Sequence, residues 1–261
     1  MFNTTIAIQI YAKICFEATN SQKKIIENLS EYLSDDDFSR IFVLNGFAGT
    51  GKTTLIAALV AALKELRIKP VLLAPTGRAA KVLARYCGEQ ALTIHKRIYR
   101  QRTNADYESK FSLDFNREQG AVFIVDEASM LSDSTGDGAL FGSGSLLEDL
   151  VSYVRSGRGC RLILVGDSAQ LPPVGCDFSP ALDPATVSRY GVNGADIYSV
   201  VALFVNGYHR ALAVYPVYRR ADDPAALVDC KFKFDALLFK IFHGFVYSVA
   251  ENLFIVSRGY I

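Results

Sequence analysis

Residues 40–66 read RIFVLNGFAGTGKTTLIAALVAALKEL, an apolar segment that passes through a glycine-rich turn into a helical pattern. Ile41 to Leu44 predict a buried strand, and the repeat of Leu55, Leu59, Ala62, Leu63 and Leu66 predicts a helix with one buried stripe. Between them, Gly46, Gly51, Lys52 and Thr53 satisfy the spacing G-x-x-x-x-G-K-[ST]. Each residue type there meets a demand of a nucleoside triphosphate. Gly46, Gly49 and Gly51 let backbone N–H groups converge on phosphates without Cβ interference, and Lys52 reaches the β and γ oxygens. The Thr53 hydroxyl is placed for Mg²⁺, and Thr54 completes the candidate nucleotide contacts at the open helix N-terminus. A plain glycine-rich turn would not require strand, motif and helix in this order.

The chain extends outward from this stretch in the same rhythm. KPVLLAPTGRAAKVLARYCG (69–88) again supplies a strand over Val71–Ala74, a turn over Pro75–Gly77 and a helix over Ala79–Tyr86 that Gly88 ends. AVFIVDEAS and CRLILVGDSAQLPPVG add a third and a fourth buried strand. Four apolar strands separated by helical or mixed segments predict a parallel sheet covered by helices on both faces, an α/β fold. In such a sheet ligands gather beyond the carboxyl ends of the strands, and every polar cluster follows a strand there. Residues 101–119 read as a polar stretch and 132–145 as a mobile surface loop. A division is expected near residue 190, with a nucleotide-binding domain over 1–190 and an aromatic-rich C-terminal extension over 191–261.

Asp126 and Glu127, directly after VFIV, form the second informative group. Asp126 suits the Mg²⁺ shell and Glu127 the activation of an attacking water. An isolated acidic pair also reads as a solvated helix cap, but not so readily downstream of a phosphate loop. Gln170, uncharged, can hydrogen-bond a γ-phosphate or the water without repelling either, while Asp167 orients its turn or couples it to neighbouring segments. Thr76 and Arg78, then Thr93, His95 and Lys96, each place a hydroxyl and a cation near a helix start. That suits a nucleic-acid phosphate, and helix capping with solvated charge accounts for them equally. Lys96, Arg97, Arg100 and Arg102 add a local basic set that the net charge of +1 conceals.

Composition excludes other classes. The five cysteines form no C-x-x-C pair, which predicts reduced thiols and a cytoplasmic setting. No secretion signal is recognisable, and residues 236–250, interrupted by Lys240 and His243, fall short of a membrane span.

Taken together, GFAGTGKTT, LAPTGRAAKVL, TIHKRIY, VDEASM and GDSAQLPPVG resemble the N-terminal RecA-like motor domain of superfamily 1 DNA helicases of the RecD and Pif1 type. The resemblance covers roughly residues 18–185. It implies ATP and Mg²⁺ as cofactors, single-stranded DNA as partner and movement 5′ to 3′. It further implies that Gln22 reads the adenine edge, although the usual proline-threonine context is absent around TNSQKKII. Lys52 and Thr53 become phosphate and Mg²⁺ contacts, Asp126 the metal ligand, Glu127 the general base, and Gln170 the γ-phosphate sensor. Thr76, Arg78, Thr93, His95 and Lys96 would then approach the DNA strand. The family's motifs fade after about residue 185, and no arginine for the γ-phosphate can be assigned. The expectation is that a second motor domain is missing or rudimentary, to be supplied by further chain or a protein partner, and that this chain alone does not unwind duplex DNA. A nucleotide-binding module with little turnover is the alternative expectation.

Overall fold

The computed structural model describes residues 2–14, 17–103, 109–133, 141–190, 195–205 and 208–216. Helices α1 (Phe2–Lys13) and α2 (Asn20–Ser34) precede strand β1 (Ile41–Gly46) and helix α3 (Lys52–Glu65). Next come β2 (Pro70–Ala74), α4 (Gly77–Cys87), β3 (Ala91–Thr93) and α5 (Ile94–Ile98). Strands β4 (Tyr99–Thr103) and β5 (Ser109–Leu113) are followed by β6 (Val122–Val125), α6 (Leu146–Ser156) and β7 (Arg161–Gly166). Helix α7 (Pro184–Tyr190) then leads to β8 (Ala195–Val205) and β9 (Tyr208–Pro216). Short 3₁₀ turns lie at Ala128–Met130 and Pro180–Leu182.

One sheet runs in the order β3-β2-β6-β7-β1-β8-β9. Every neighbouring pair is parallel except β8 with β9. The alternation of strand side chains divides the apolar residues between two cores. Phe42, Leu44, Leu72, Val122, Ile124, Ile163 and Val165 pack with Ile6, Ile25, Leu59 and Leu83 from α1 to α4. Ile41, Val43, Leu73, Phe123, Val125, Leu162 and Leu164 pack with Ile94, Leu150 and Val187 from α5 to α7. Burial on both faces explains why these strands read as continuous apolar runs, and it is the P-loop NTPase, RecA-like arrangement expected from the sequence. The α3 stripe is buried as far as Leu63, and Leu66 serves as the C-cap residue, half exposed.

The structure departs from the sequence reading within residues 101–119. β4 and β5 form an antiparallel hairpin with Tyr99 opposite Leu113 and Gln101 opposite Phe111. Its apolar residues occupy only alternate positions of one face, so the segment averages to polar although the period is that of a strand. Phe111 stacks on Phe141 at 4.5 Å, which also meets Tyr99 at 5.3 Å, and this seats the hairpin on the domain. Of the loop expected at 132–145, residues 134–140 lie outside the described residues, while its flanks are anchored. Leu147 N donates to Ser132 O at 3.1 Å, and the Asp133 carboxylate accepts from Ser145, Arg189 and Tyr190.

Strands β8 and β9 continue the sheet across position 190. Backbone contacts group Met1–Arg220 in one unit and Ala221–Ile261 in a second, and the second lies outside the described residues together with the apolar run 236–250. Among the described residues no helix is long and apolar enough to cross a membrane.

At the end of β7, Gly166 is required by a close approach. A Cβ there would lie 2.8 Å from Leu182 Cδ1 and 3.1 Å from the backbone nitrogen of Ser129. Ser129 is held in turn by the Ser179 hydroxyl, which donates to its carbonyl at 2.9 Å. Gly166→Ala should therefore cost about 1–3 kcal/mol, because the leucine tip can move but the backbone cannot. Thermal melting checks it; an unchanged midpoint would show that the 3₁₀ turns yield freely.

Candidate functional site

The carboxyl ends of β1, β2, β6 and β7 meet at one edge, as parallel strands require. At β1 the chain turns through Phe47–Thr50 into α3, with Thr50 Oγ1 donating to Phe47 O at 2.9 Å. Gly49 and Gly51 take φ of 79° and 86°, left-handed conformations that suit glycine. Gly51 is the N-cap of α3 and offers no side-chain bond to the first turn, so the free N–H groups remain available to an anion. Lys52 folds back over this loop, its Nζ donating to Gly46 O and, at 2.8 Å, to Phe47 O.

Gln22 reaches the same loop from α2. Its Oε1 accepts from Thr19 N at 3.0 Å in a capping box, and its Nε2 donates to Thr50 O at 3.5 Å. A Cβ on residue 51 would come within 2.9 Å of that Nε2, so the second glycine is also where Gln22 seats. This amide is anchored to the phosphate loop.

β6 delivers the carboxylates. Asp126 N donates to Leu73 O at 3.0 Å, tying the strand end to β2, and Asp126 Oδ1 accepts from Glu127 N at 3.0 Å. Glu127 sits at φ 55°, a strained conformation for a side-chain-bearing residue, immediately before the 3₁₀ turn. β7 adds Asp167, buried, whose Oδ1 accepts from Ala169 N at 2.9 Å. Gln170 gives a side-chain hydrogen bond to Glu127, so the β7 turn and the β6 end are joined directly. Asn45 and Ser168 exchange two 3.0 Å bonds and couple the end of β1 to that same turn.

Electrostatics bind these groups into one unit. Burial lowers the Lys52 ammonium from its ordinary range, opposed by Asp167, then Asp126 and Glu127. Burial raises the Asp126 carboxyl, against the Glu127 N–H and Lys52. Glu127 is raised by burial and then by Asp126 and Asp167, against Lys52 and the Gln170 bond. Among the described residues Lys52 is the cation that acts on both Asp126 and Glu127. The sequence reading gave Asp167 the task of orienting its turn or coupling it to neighbouring segments, and did not foresee its charge acting on Lys52 and Glu127. The available signal was its position, one residue after a buried strand, like Asp126.

The donor set fits Mg²⁺ bound with a nucleotide. Two raised carboxyls beside a third carboxylate leave excess negative charge at the edge, which a divalent cation relieves. The hydroxyl of Thr53 and the carboxylate of Asp126 are the hard oxygen donors such an ion takes. The described residues contain no group of three or more His, Cys, Asp or Glu able to hold a metal alone. Mg²⁺ commonly uses one or two protein oxygens plus substrate phosphates, so this set is of the expected size.

The remaining candidates stand at the ends of β2 and β3, adjacent in the sheet. Thr76 Oγ1 accepts from Ala79 N and Thr93 Oγ1 from Lys96 N, both at 3.2 Å, so both hydroxyls cap their helices. Arg78 and Lys96 are exposed. His95 is half-buried, packed edge-on to Phe141 at 5.1 Å and tilted against Tyr99 at 5.6 Å. Burial lowers its pKa, so the ring is held toward its neutral form.

A family model described as an AAA domain matches residues 18–177. The ATP-dependent RecD2 DNA helicase of Deinococcus radiodurans is 30% identical over 154 residues, covering 59% of this chain and 19% of that protein. The RecBCD enzyme subunit RecD of Mycobacterium tuberculosis is 35% identical over 158 residues, 51% of this chain and 24% of that one. The crystal structure of Pif1 helicase from Candida albicans aligns over 72% of this chain and 41% of its own, at 22% identity and a TM-score of 0.44. The chain spans less than a quarter of the length of either sequence relative.

Proposed function

This chain belongs to the AAA domain family, with motifs of the RecD and Pif1 helicase type, and from that premise we propose that it binds ATP with Mg²⁺ and hydrolyses it in response to single-stranded DNA. The role proposed is that of the first motor domain of a 5′-to-3′ DNA helicase, with residues 1–190 carrying the nucleotide site and 191–261 an extension. The observation that carries it is the convergence of Lys52, Asp126, Glu127, Asp167 and Gln170 from three strand ends around one open helix N-terminus.

Each side chain has a task in this scheme. The α3 N-terminus and Lys52 receive the phosphates, and Gln22 steadies the loop that holds them. Thr53 and Asp126 would hold Mg²⁺, which supplies charge neutralisation to the β and γ phosphates. Glu127 accepts the proton of the attacking water. Gln170, bonded to Glu127, links occupancy of the γ position to the β7 turn. Arg78 and Lys96 contact the strand, with Thr76, Thr93 and His95 placing their helices. A cytoplasmic setting accords with free thiols at Cys87, Cys160 and Cys176.

Calorimetric titration with Mg²⁺ and ATP, together with phosphate release with and without an oligothymidylate, tests this reading. ATP binding and strand-stimulated release are expected; no heat of ATP binding overturns it. A second reading, a nucleotide-binding module without turnover, is favoured by Lys52 being the one cation that acts on the carboxylates among the described residues, since an added arginine contributes about 10³ to 10⁵ in rate to enzymes of this chemistry. Binding with no release above the Lys52→Ala background, even with the strand present, would select it.

A further inference from the structure

A cleft of about 340 Å³ opens on the side of the sheet covered by α5 and α6, and it shares no residue with the nucleotide site. Its cations come from α5 (Lys96, Arg97), β4 (Arg100) and the segment entering β6 (Arg117), and its carboxylates are Asp114 and Glu118. Both carboxylates are already engaged. Glu118 is paired with Arg97 at 2.6 Å and Lys69 at 2.7 Å, and Asp114 with Arg100. Arg117 acts together with Arg100 on Asp114, Lys96 has no ion pair among the described residues, and the buried Nε of Arg97 has no acceptor. Beside them stands Phe115, 65% exposed, a large apolar ring open to solvent in the lining of a charged cleft. The other rings there are committed: Tyr99 donates to Asp149 at 2.6 Å and Tyr153 is bonded to Arg97.

On the hairpin, Tyr99 and Gln101 lie opposite Leu113 and Phe111 on the face seated on the domain through Phe141, and Arg100 between them is exposed.

An exposed ring flanked by Lys96 and Arg117, with the exposed Arg100 beside them, is a combination that tracks a phosphate backbone while stacking an unpaired base. We infer that this cleft is a second grip for a single nucleic-acid strand, with a base stacked on Phe115 and phosphates on Lys96, Arg100 and Arg117. The inference rests on the single-strand reading above and extends that surface from Lys96, which the two share, to Arg100, Phe115 and Arg117. An acidic peptide would satisfy the cations but leave the ring without a partner, and duplex DNA would offer it no open base face.

The test is fluorescence anisotropy of a labelled oligothymidylate with the full chain at several salt concentrations. Phe115→Ala, Arg117→Glu and Lys24→Glu are compared, the last removing an exposed cation of α2 outside both sites. ATP affinity in each variant reports an intact fold. Phe115→Ala should weaken the strand about tenfold. Arg117→Glu should reduce the slope of log affinity against log salt by about 0.7 for each phosphate that the variant no longer neutralises. Lys24→Glu should change neither. If both cleft variants bind like the wild type, the cleft is refuted while the single-strand reading stands. If the wild type binds no strand, that reading fails and the cleft with it. Competition by polyglutamate as strong as by oligothymidylate, or an affinity for duplex DNA equal to that for the single strand, also overturns the inference.

Discussion

Glu127→Gln is expected to lower ATP turnover by about 10² to 10⁴-fold, the usual contribution of a positioned general base. ATP affinity should remain within about twofold, because the lost function belongs to the transition state. The carboxyl of Glu127 is raised by burial and by Asp126 and Asp167, so it is more basic than an exposed glutamate. It must be ionised to take the proton, so wild-type turnover should fall as pH drops through a value above the ordinary glutamate range. The residual rate of the variant should be flat across that window. Stability follows with its own sign. A carboxyl raised in the folded state contributes stability that is full below the unfolded pKa and lost as pH rises through the folded one. Glu127→Gln should thus melt above the wild type at neutral pH, an advantage that fades on acidification. The left-handed backbone at this residue is unchanged by glutamine, so strain does not confuse the comparison. Phosphate release at the wild-type rate would remove Glu127 as the base.

The convergence of Lys52, Asp126, Glu127 and Gln170 was legible because these residues follow strand ends, where sequence order and spatial proximity coincide. Once Ile41–Leu44, Val71–Ala74, Val122–Val125 and Leu162–Val165 are read as parallel strands, the groups that follow them must share an edge. The network that joins the turns was not legible. The Asn45–Ser168 exchange and the Gln170–Glu127 bond depend on β7 lying beside both β1 and β6, which the order of strands along the chain does not specify. Nor was the burial of Asp167, which strengthens the action of its charge on Lys52 and Glu127. The hairpin was hidden by its own alternation, since Arg100 and Arg102 interleave with Tyr99 and Gln101 and no window of the segment is apolar. Thr76 and Thr93 show the converse limit. Hydroxyl and helix start were visible, yet a capping hydroxyl and a phosphate-binding one have the same sequence, and only Thr76 Oγ1 bonded to Ala79 N shows the capping role.

Lys52→Ala is expected to weaken ATP binding by about 10² to 10⁴-fold, through removal of two charge-assisted hydrogen bonds worth about 1.5–3 kcal/mol each. The electrostatics around Lys52 explain why the effect should be severe. Asp126, Glu127 and Asp167 surround the position where a polyanion must arrive, and Lys52 is the charge that opposes them. Without it the triphosphate meets three carboxylates alone, so extra Mg²⁺ should recover part of the binding and added monovalent salt should recover less. A double-mutant cycle isolates this effect. Asp167→Asn retains an oxygen for Ala169 N while removing a charge, and in the Lys52→Ala background it should return part of the lost affinity. In the wild-type background the same change should alter affinity less, because Lys52 already offsets Asp167. Because burial lowers the Lys52 ammonium, wild-type affinity should decline as pH rises toward a value below the ordinary lysine range, and the alanine variant should show no such decline. Calorimetric titration across pH reads all four proteins on one scale. Equal ATP affinity in wild type and Lys52→Ala would mean that the loop folds around its own lysine for structural reasons, with Gly46 O and Phe47 O as the final partners of Nζ.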